Sequence, residues 1–143
     1  MDADDGLIVL GGDSASERRM RAAATYAQSL RPPTEGKPGL FVKGGTLPQA
    51  LLDGLYDGVH VVRFRAQPGS RTALHTHDCD QVLIVTSGRG YIATKDEETV
   101  LEPGTVVFIP AGEAHVHGSA AESGMETVML TRTGHSTDFV DPD

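Results

Sequence analysis

From Gly39 onward the chain is a succession of short apolar runs, each soon interrupted by Gly, Pro or Asp. The runs are LFVK, GVHVVRFRA, RTALHTH, QVLIVTS, GYIATK, TVL, TVVFIP, AHVHG and ETVMLTR. QPGS, SGRG, KDEE and EPG lie between them as turns. Segments this short and closely spaced, with no long helical stretch between them, predict an all-β barrel or sandwich. One short helix is predicted over LPQALLDGLYD, between the first two runs.

The 143 residues make one domain, with enough chain for a single sizeable core. A second helix is predicted ahead of the barrel, over about residues 14–30. Ser14 and Glu17 fit a capping box there, and Asp13 is a rival cap. Met20, Ala24, Tyr26, Ala27 and Leu30 follow at roughly helical spacing, and Pro32 and Pro33 end the helix. The expected organisation is therefore an N-terminal extension over 1–38, a barrel over 39–135 and a polar tail over 136–143.

Charge excludes some partners. The formal net charge of -8 repels a phosphate backbone, so nucleic acid is not expected. There is no basic amphipathic stretch for an anionic membrane and no apolar run near the ~20 residues that span a bilayer. The acidic start, MDADDGLIVL, lacks a signal-peptide pattern, and a cytoplasmic location is expected. Cys79 is the only cysteine, so no internal disulfide forms.

The chemistry is concentrated in two His-x-His pairs. In a strand, alternate side chains share a face, so His75 and His77 project together. Gln81 follows three residues later and opens the apolar run VLIV. TVVFIP runs into the turn PAGEA and delivers His115 and His117, again on one face. One such pair is a weak signal. Two pairs, each joined to a Gly-rich turn and a β run, point to a divalent metal gripped by the His75–His77 pincer, with the Gln81 amide oxygen able to serve as a third ligand.

The string Gly69-(five)-His75-Thr-His77-(three)-Gln81-(six)-Gly88 resembles the first motif of the cupins. Gly104-(five)-Pro110-Ala-Gly112-(two)-His115 resembles the second. The likeness runs roughly from Val59 to Leu130. It implies a jelly-roll-like cupin β-barrel in which His75, His77 and His115 hold a metal. Gln81 stands where the family usually has glutamate, and Ser119 where it usually has asparagine. PGSRTALHTHDCDQVLIVTSGRG is similar to a subset of small cupins with glutamine in that place. That subset includes manganese-dependent hydroxynitrile lyases and cupins associated with carboxymuconolactone decarboxylases. The hydroxynitrile lyases carry a histidine near the position of Thr127, which this chain lacks.

A neutral glutamine in place of glutamate leaves the ion its full charge. The ion is expected to be Mn, Fe, Zn or Ni, acting as a Lewis acid on oxyanions. The leading expectation is a metal-dependent lyase or isomerase acting on a small organic substrate. The alternatives are a non-haem dioxygenase and a metal-containing ligand-binding or sensor module. His117 is the candidate proton carrier and Glu126 a candidate carboxylate base. Cys79 is read as incidental, Arg63, Arg65 and Arg71 as outward-facing, and His60 and His135 as structural or exposed. Metal loss is expected below about pH 6, where imidazoles ordinarily protonate. A homodimer that covers an edge strand is also expected.

Overall fold

A computed structural model describes residues 40–51 and 58–140. The predicted N-terminal extension and its helix over 14–30 lie outside these residues. The described chain forms twelve strands and no helix. They are β1 Phe41–Lys43, β2 Thr46–Leu51, β3 Val59–Ala66, β4 Arg71–Thr72, β5 His75–His77, β6 Gln81–Gly88, β7 Gly90–Ala93, β8 Glu98–Leu101, β9 Val106–Ile109, β10 Val116–Ser119, β11 Met125–Arg132 and β12 Thr137–Phe139. No helix among them is long and apolar enough to cross a membrane.

The strands pair antiparallel in two five-stranded sheets, ordered β1-β4-β10-β7-β8 and β2-β3-β11-β6-β9. The result is a jelly-roll-like barrel. Apart from β2–β3 and β7–β8, neighbours in the sheets are not consecutive in sequence, so most of the hydrogen bonds tie the chain together at long range. The eight-residue ladder from Met125↔Ala66 to Arg132↔Val59 is the longest of these pairings.

Three sequence expectations change. Residues 47–51, read as the start of a short helix, belong to β2, and the rest of that segment lies outside the described residues. β2 is the outer strand of its sheet, where Pro48 can sit without breaking a ladder on both sides. RTALHTH divides into β4 and β5, because His75 leaves the first sheet and pairs with Phe139. Thr137–Phe139, within the stretch read as a polar tail, forms β12 against β5.

The interior contains two packed clusters. Val62, Leu83, Ile109 and Met129 form one. Val85, Leu101 and Met125 form the other, and Ile92 and Val107 pack against both. The turn from β6 to β7 depends on Gly88. Its φ of 73° lies in the left-handed region. A side chain there would also collide with the carbonyl of Gly124.

Leu101 is 0% exposed, so Leu101→Ala should cost about 3 kcal/mol. Its neighbour Val100 is 58% exposed, and Val100→Ala should stay within about 0.5 kcal/mol. Urea unfolding of the two variants checks the pair. Equal losses would show that β8 does not present Leu101 to the core.

Candidate metal centre

His75 and His77 occupy alternate positions of β5, so both imidazoles point the same way. A backbone bridge pairs His75 with His115, just ahead of β10, and carries the third imidazole across. Both backbone hydrogen bonds of that bridge form, at 3.1 and 3.0 Å. One nitrogen from each ring lies within 4.8 Å of the others. All three residues are buried.

Hydrogen bonds orient the rings. His75 Nδ1 donates to the Ala73 carbonyl at 2.7 Å, and His115 Nδ1 to the Glu113 carbonyl at 2.9 Å. A carbonyl can only accept, so Nδ1 carries the proton and Nε2 keeps its lone pair. His77 Nδ1 lies 2.9 Å from Thr137 Oγ1 on β12. The three Nε2 atoms are buried and have no hydrogen-bond partner among the described residues. Gln81 Oε1 is orphaned in the same way, while its Nε2 donates to Met129 Sδ at 2.6 Å. Unpaired buried acceptors are costly, and these four are the donor atoms that a divalent cation takes. The residues therefore fit a transition metal. Cys79 is buried but does not join the histidine cluster.

Burial keeps the imidazoles neutral. Burial first, and then His115, push His75 down to about 3, although the Ala73 carbonyl works the other way. The same causes in the same order, with His135 next, push His77 to about 4. His115 is lowered by burial as well. His117 is pushed well below the ordinary histidine value by burial and then by His75, His115 and His77. Its ring lies 5.5 Å from that of His75 and 5.8 Å from that of His115.

His75, His77 and Gln81 open on a cavity of about 530 Å³. That size suits a small-molecule site. Its walls are largely apolar and include Val62, Phe64, Leu83, Met125, Met129 and Phe139. His117 lines it, as the sequence pattern anticipates. Glu126 does not. Alternation along β11 turns Thr127 inward and Glu126 outward, where its carboxylate accepts from Arg65 Nε at 2.8 Å and Thr86 Oγ1 at 2.9 Å. Glu126 therefore cannot act as a base in the cavity. Arg63 and Arg65 share that outer face, but Arg63 is buried there rather than solvated as the sequence reading expected, while Arg71 is exposed and donates to Tyr91 at 2.9 Å. His60 and His135, read from sequence as structural or exposed, both line the cavity. The signal for His60 was present in VHVVRFRA, where it shares its face with Val62 and Phe64. Nothing local marked His135 or Thr137.

With this geometry in hand, comparison with known proteins identifies the domain. Residues 62–131 match the cupin domain model. The chain carries a cupin domain. It is 48% identical over 66 residues to an (R)-mandelonitrile lyase of Granulicella tundricola, a match that covers 45% of this chain and 50% of that protein. The match thus spans about half the length of that relative. A cupin-like protein from Thermotoga maritima has the same fold at 23% identity and a TM-score of 0.64, covering 80% of this chain and 86% of that one. A salicylate 1,2-dioxygenase from Pseudaminobacter salicylatoxidans aligns at 19% identity and a TM-score of 0.58, covering 73% of this chain and 33% of that one.

The lowered pKa values move the expected acid limit of the cupin site. Protons should compete for His75 and His77 not below about pH 6 but toward about 4 and then about 3. Manganese retained after dialysis should hold through pH 5.5 and collapse near pH 4; release with a midpoint near the ordinary histidine value of about 6.5 would refute the burial argument. The metal-free protein should behave differently. Its unfolded chain takes up protons near 6.5 while the folded chain does not, so its stability should be full above that value and fall steadily as pH drops toward 4.

Proposed function

We propose that this cupin is a metal-dependent lyase acting on a small organic molecule, with His75, His77, His115 and Gln81 as the ligands. The observation that carries this reading is the convergence of three buried imidazole nitrogens, without hydrogen-bond partners among the described residues, beside a largely apolar cavity that His75 and His77 line. The 48% identity to a mandelonitrile lyase supports lyase chemistry and makes an aromatic α-hydroxynitrile the first substrate to try.

A divalent metal bound here would supply Lewis-acid stabilisation of a developing alkoxide. The remaining work belongs to the chain. The apolar walls exclude water and hold the ring. His117, kept neutral by its enclosure in the cavity wall, accepts the hydroxyl proton through a ring nitrogen and later returns it to the leaving group. In an α-hydroxynitrile, loss of that proton accompanies cleavage of the bond to the nitrile carbon. The nitrile carbon keeps the electron pair, and an aldehyde and hydrogen cyanide result. Thr127 stands near the place where the hydroxynitrile lyases that the chain resembles carry a histidine, and His117, whose ring lies 5.5 Å from that of His75 and 5.8 Å from that of His115, is the imidazole assigned to move the proton.

Cyanide release from mandelonitrile should be measured on protein loaded separately with manganese, zinc and iron, with an oxygen electrode in parallel. Lyase turnover with redox-silent zinc and no oxygen uptake is the expected result. Dead zinc protein together with oxygen-consuming iron protein would establish the dioxygenase reading instead. His117→Ala should lower kcat by at least about 100-fold while leaving metal content intact. His75→Ala, His77→Ala and His115→Ala should each remove most of the metal, whereas Gln81→Ala should weaken retention less, because water can replace a neutral oxygen ligand.

A further inference from the structure

The chain that follows β11 is polar, TGHSTDFV, and has little to bury. From Arg132 to Val140 no residue is buried, whereas β11 just before them buries every second residue. Among the described strands β12 pairs only with β5. A segment with so few buried contacts depends on its hydrogen bonds and opens locally at low cost. Its residues His135, Ser136, Thr137 and Phe139 nevertheless form part of the cavity wall.

The groups that hold this segment are gathered around His77. Asp78, the next residue, grips its start. The Arg132 guanidinium donates to Asp78 Oδ2 at 2.9 Å, and the Ser136 backbone N–H donates to Oδ1 at 2.8 Å. The Asp78 backbone N–H donates in return to the Ser136 carbonyl at 3.2 Å. The Asp78–Arg132 ion pair is exposed, so water competes with it. Thr137 sits directly opposite His77 in the β5–β12 pairing, and its hydroxyl lies 2.9 Å from His77 Nδ1. Further on, the Val140 N–H donates to the Leu74 carbonyl at 3.0 Å.

His77 therefore faces two ways. Its Nε2 has no hydrogen-bond partner among the described residues and belongs to the ligand set, while its Nδ1 meets the wall. A cation that takes Nε2 fixes the ring and keeps the proton on Nδ1, where it can be donated to Thr137 Oγ1. Without a cation the ring stands among other unpaired imidazole nitrogens and gains nothing by staying there. The effect is reciprocal: a wall that holds the ring favours the metal, and a metal that holds the ring favours the closed wall.

We propose that residues 133–140 form a strap whose closure over the cavity is coupled to metal occupancy, with Thr137 and Asp78 as the positioning residues that carry the coupling. This rests on the metal-binding part of the reading above and is independent of lyase chemistry.

The test is hydrogen–deuterium exchange, followed by mass spectrometry, on full-chain protein with and without manganese, with metal content measured in every sample. Manganese should slow exchange of the strap amides roughly fivefold to tenfold in the unmodified protein. Thr137→Val removes the hydroxyl at nearly constant size, and it should bind manganese about tenfold more weakly. At saturating manganese its strap should respond within about twofold. Thr137→Ser restores the hydroxyl and should recover both the affinity and the response. Asp78→Ala should speed strap exchange with and without the metal, and it should weaken manganese retention as well. If manganese binds the unmodified protein and the strap does not slow, the coupling is wrong while the metal centre stands. If the unmodified protein takes up no manganese, the metal reading fails and the proposal falls with it. The proposal is overturned equally if the strap of Thr137→Val responds as fully as that of the unmodified protein, or if Thr137→Ser does not recover what Thr137→Val loses.

Discussion

The arrangement of this molecule depends on burying three imidazole lone pairs face to face. In the metal-free chain this is unfavourable. Each Nε2 is cut off from water without a partner among the described residues, and each ring would repel its neighbours if protonated. The fold must hold the rings together against that tendency. It does so by fixing β5 on both sides, through the His75–His115 bridge and through β12. A three-residue strand could not hold such a cluster alone. With a partner on each flank its two inward side chains have little freedom to separate, and a cation that takes the lone pairs would relieve the strain they impose.

The same requirement explains the polar contacts behind the rings. Ala73 and Glu113 supply carbonyls two residues before their histidines, so each ring is oriented by its own local chain. His77 differs, because its partner Thr137 is sixty residues away. Orientation of the third ring therefore depends on the pairing of β12. Asp78 reinforces this dependence by gripping Arg132 and Ser136, just ahead of that strand. The segment that closes the described chain is thus part of the site's support.

The parts of the site that were legible in the sequence are those set by short-range geometry. His75 and His77 share a face because strands alternate, and the spacing to Gln81 and His115 matches two local motifs. The shortness of the β runs was enough to indicate a barrel. What remained hidden depends on long-range register. Glu126 and Thr127 are adjacent, and alternation alone cannot decide which faces inward; the ladder to Ala66 and Gly88 decides it. His135 reaches the cavity only because Asp78 folds its loop back. Residues 47–51 have helical composition, yet a ladder to β3 makes them a strand, since pairing outweighs local propensity.

Placing Glu126 outside the cavity bears on the electrostatics of the site. The chain carries a net charge of -8, yet no Asp or Glu is among the described residues that line the cavity. Its polar lining is made of imidazoles, the Gln81 amide and hydroxyls, and burial holds the ligand imidazoles and His117 unprotonated near pH 7. A cation held by such donors would keep its full charge within apolar walls, where screening is weak. A carboxylate in the place of Gln81 would offset part of that charge and compete with a developing oxyanion. On these grounds Gln81→Glu should retain metal at least as well as the unmodified protein, yet should lower lyase turnover by weakening the pull on the substrate oxygen. Parallel measurement of metal content and kcat for this variant separates ligand strength from charge, two properties that removal of the ligand would change together.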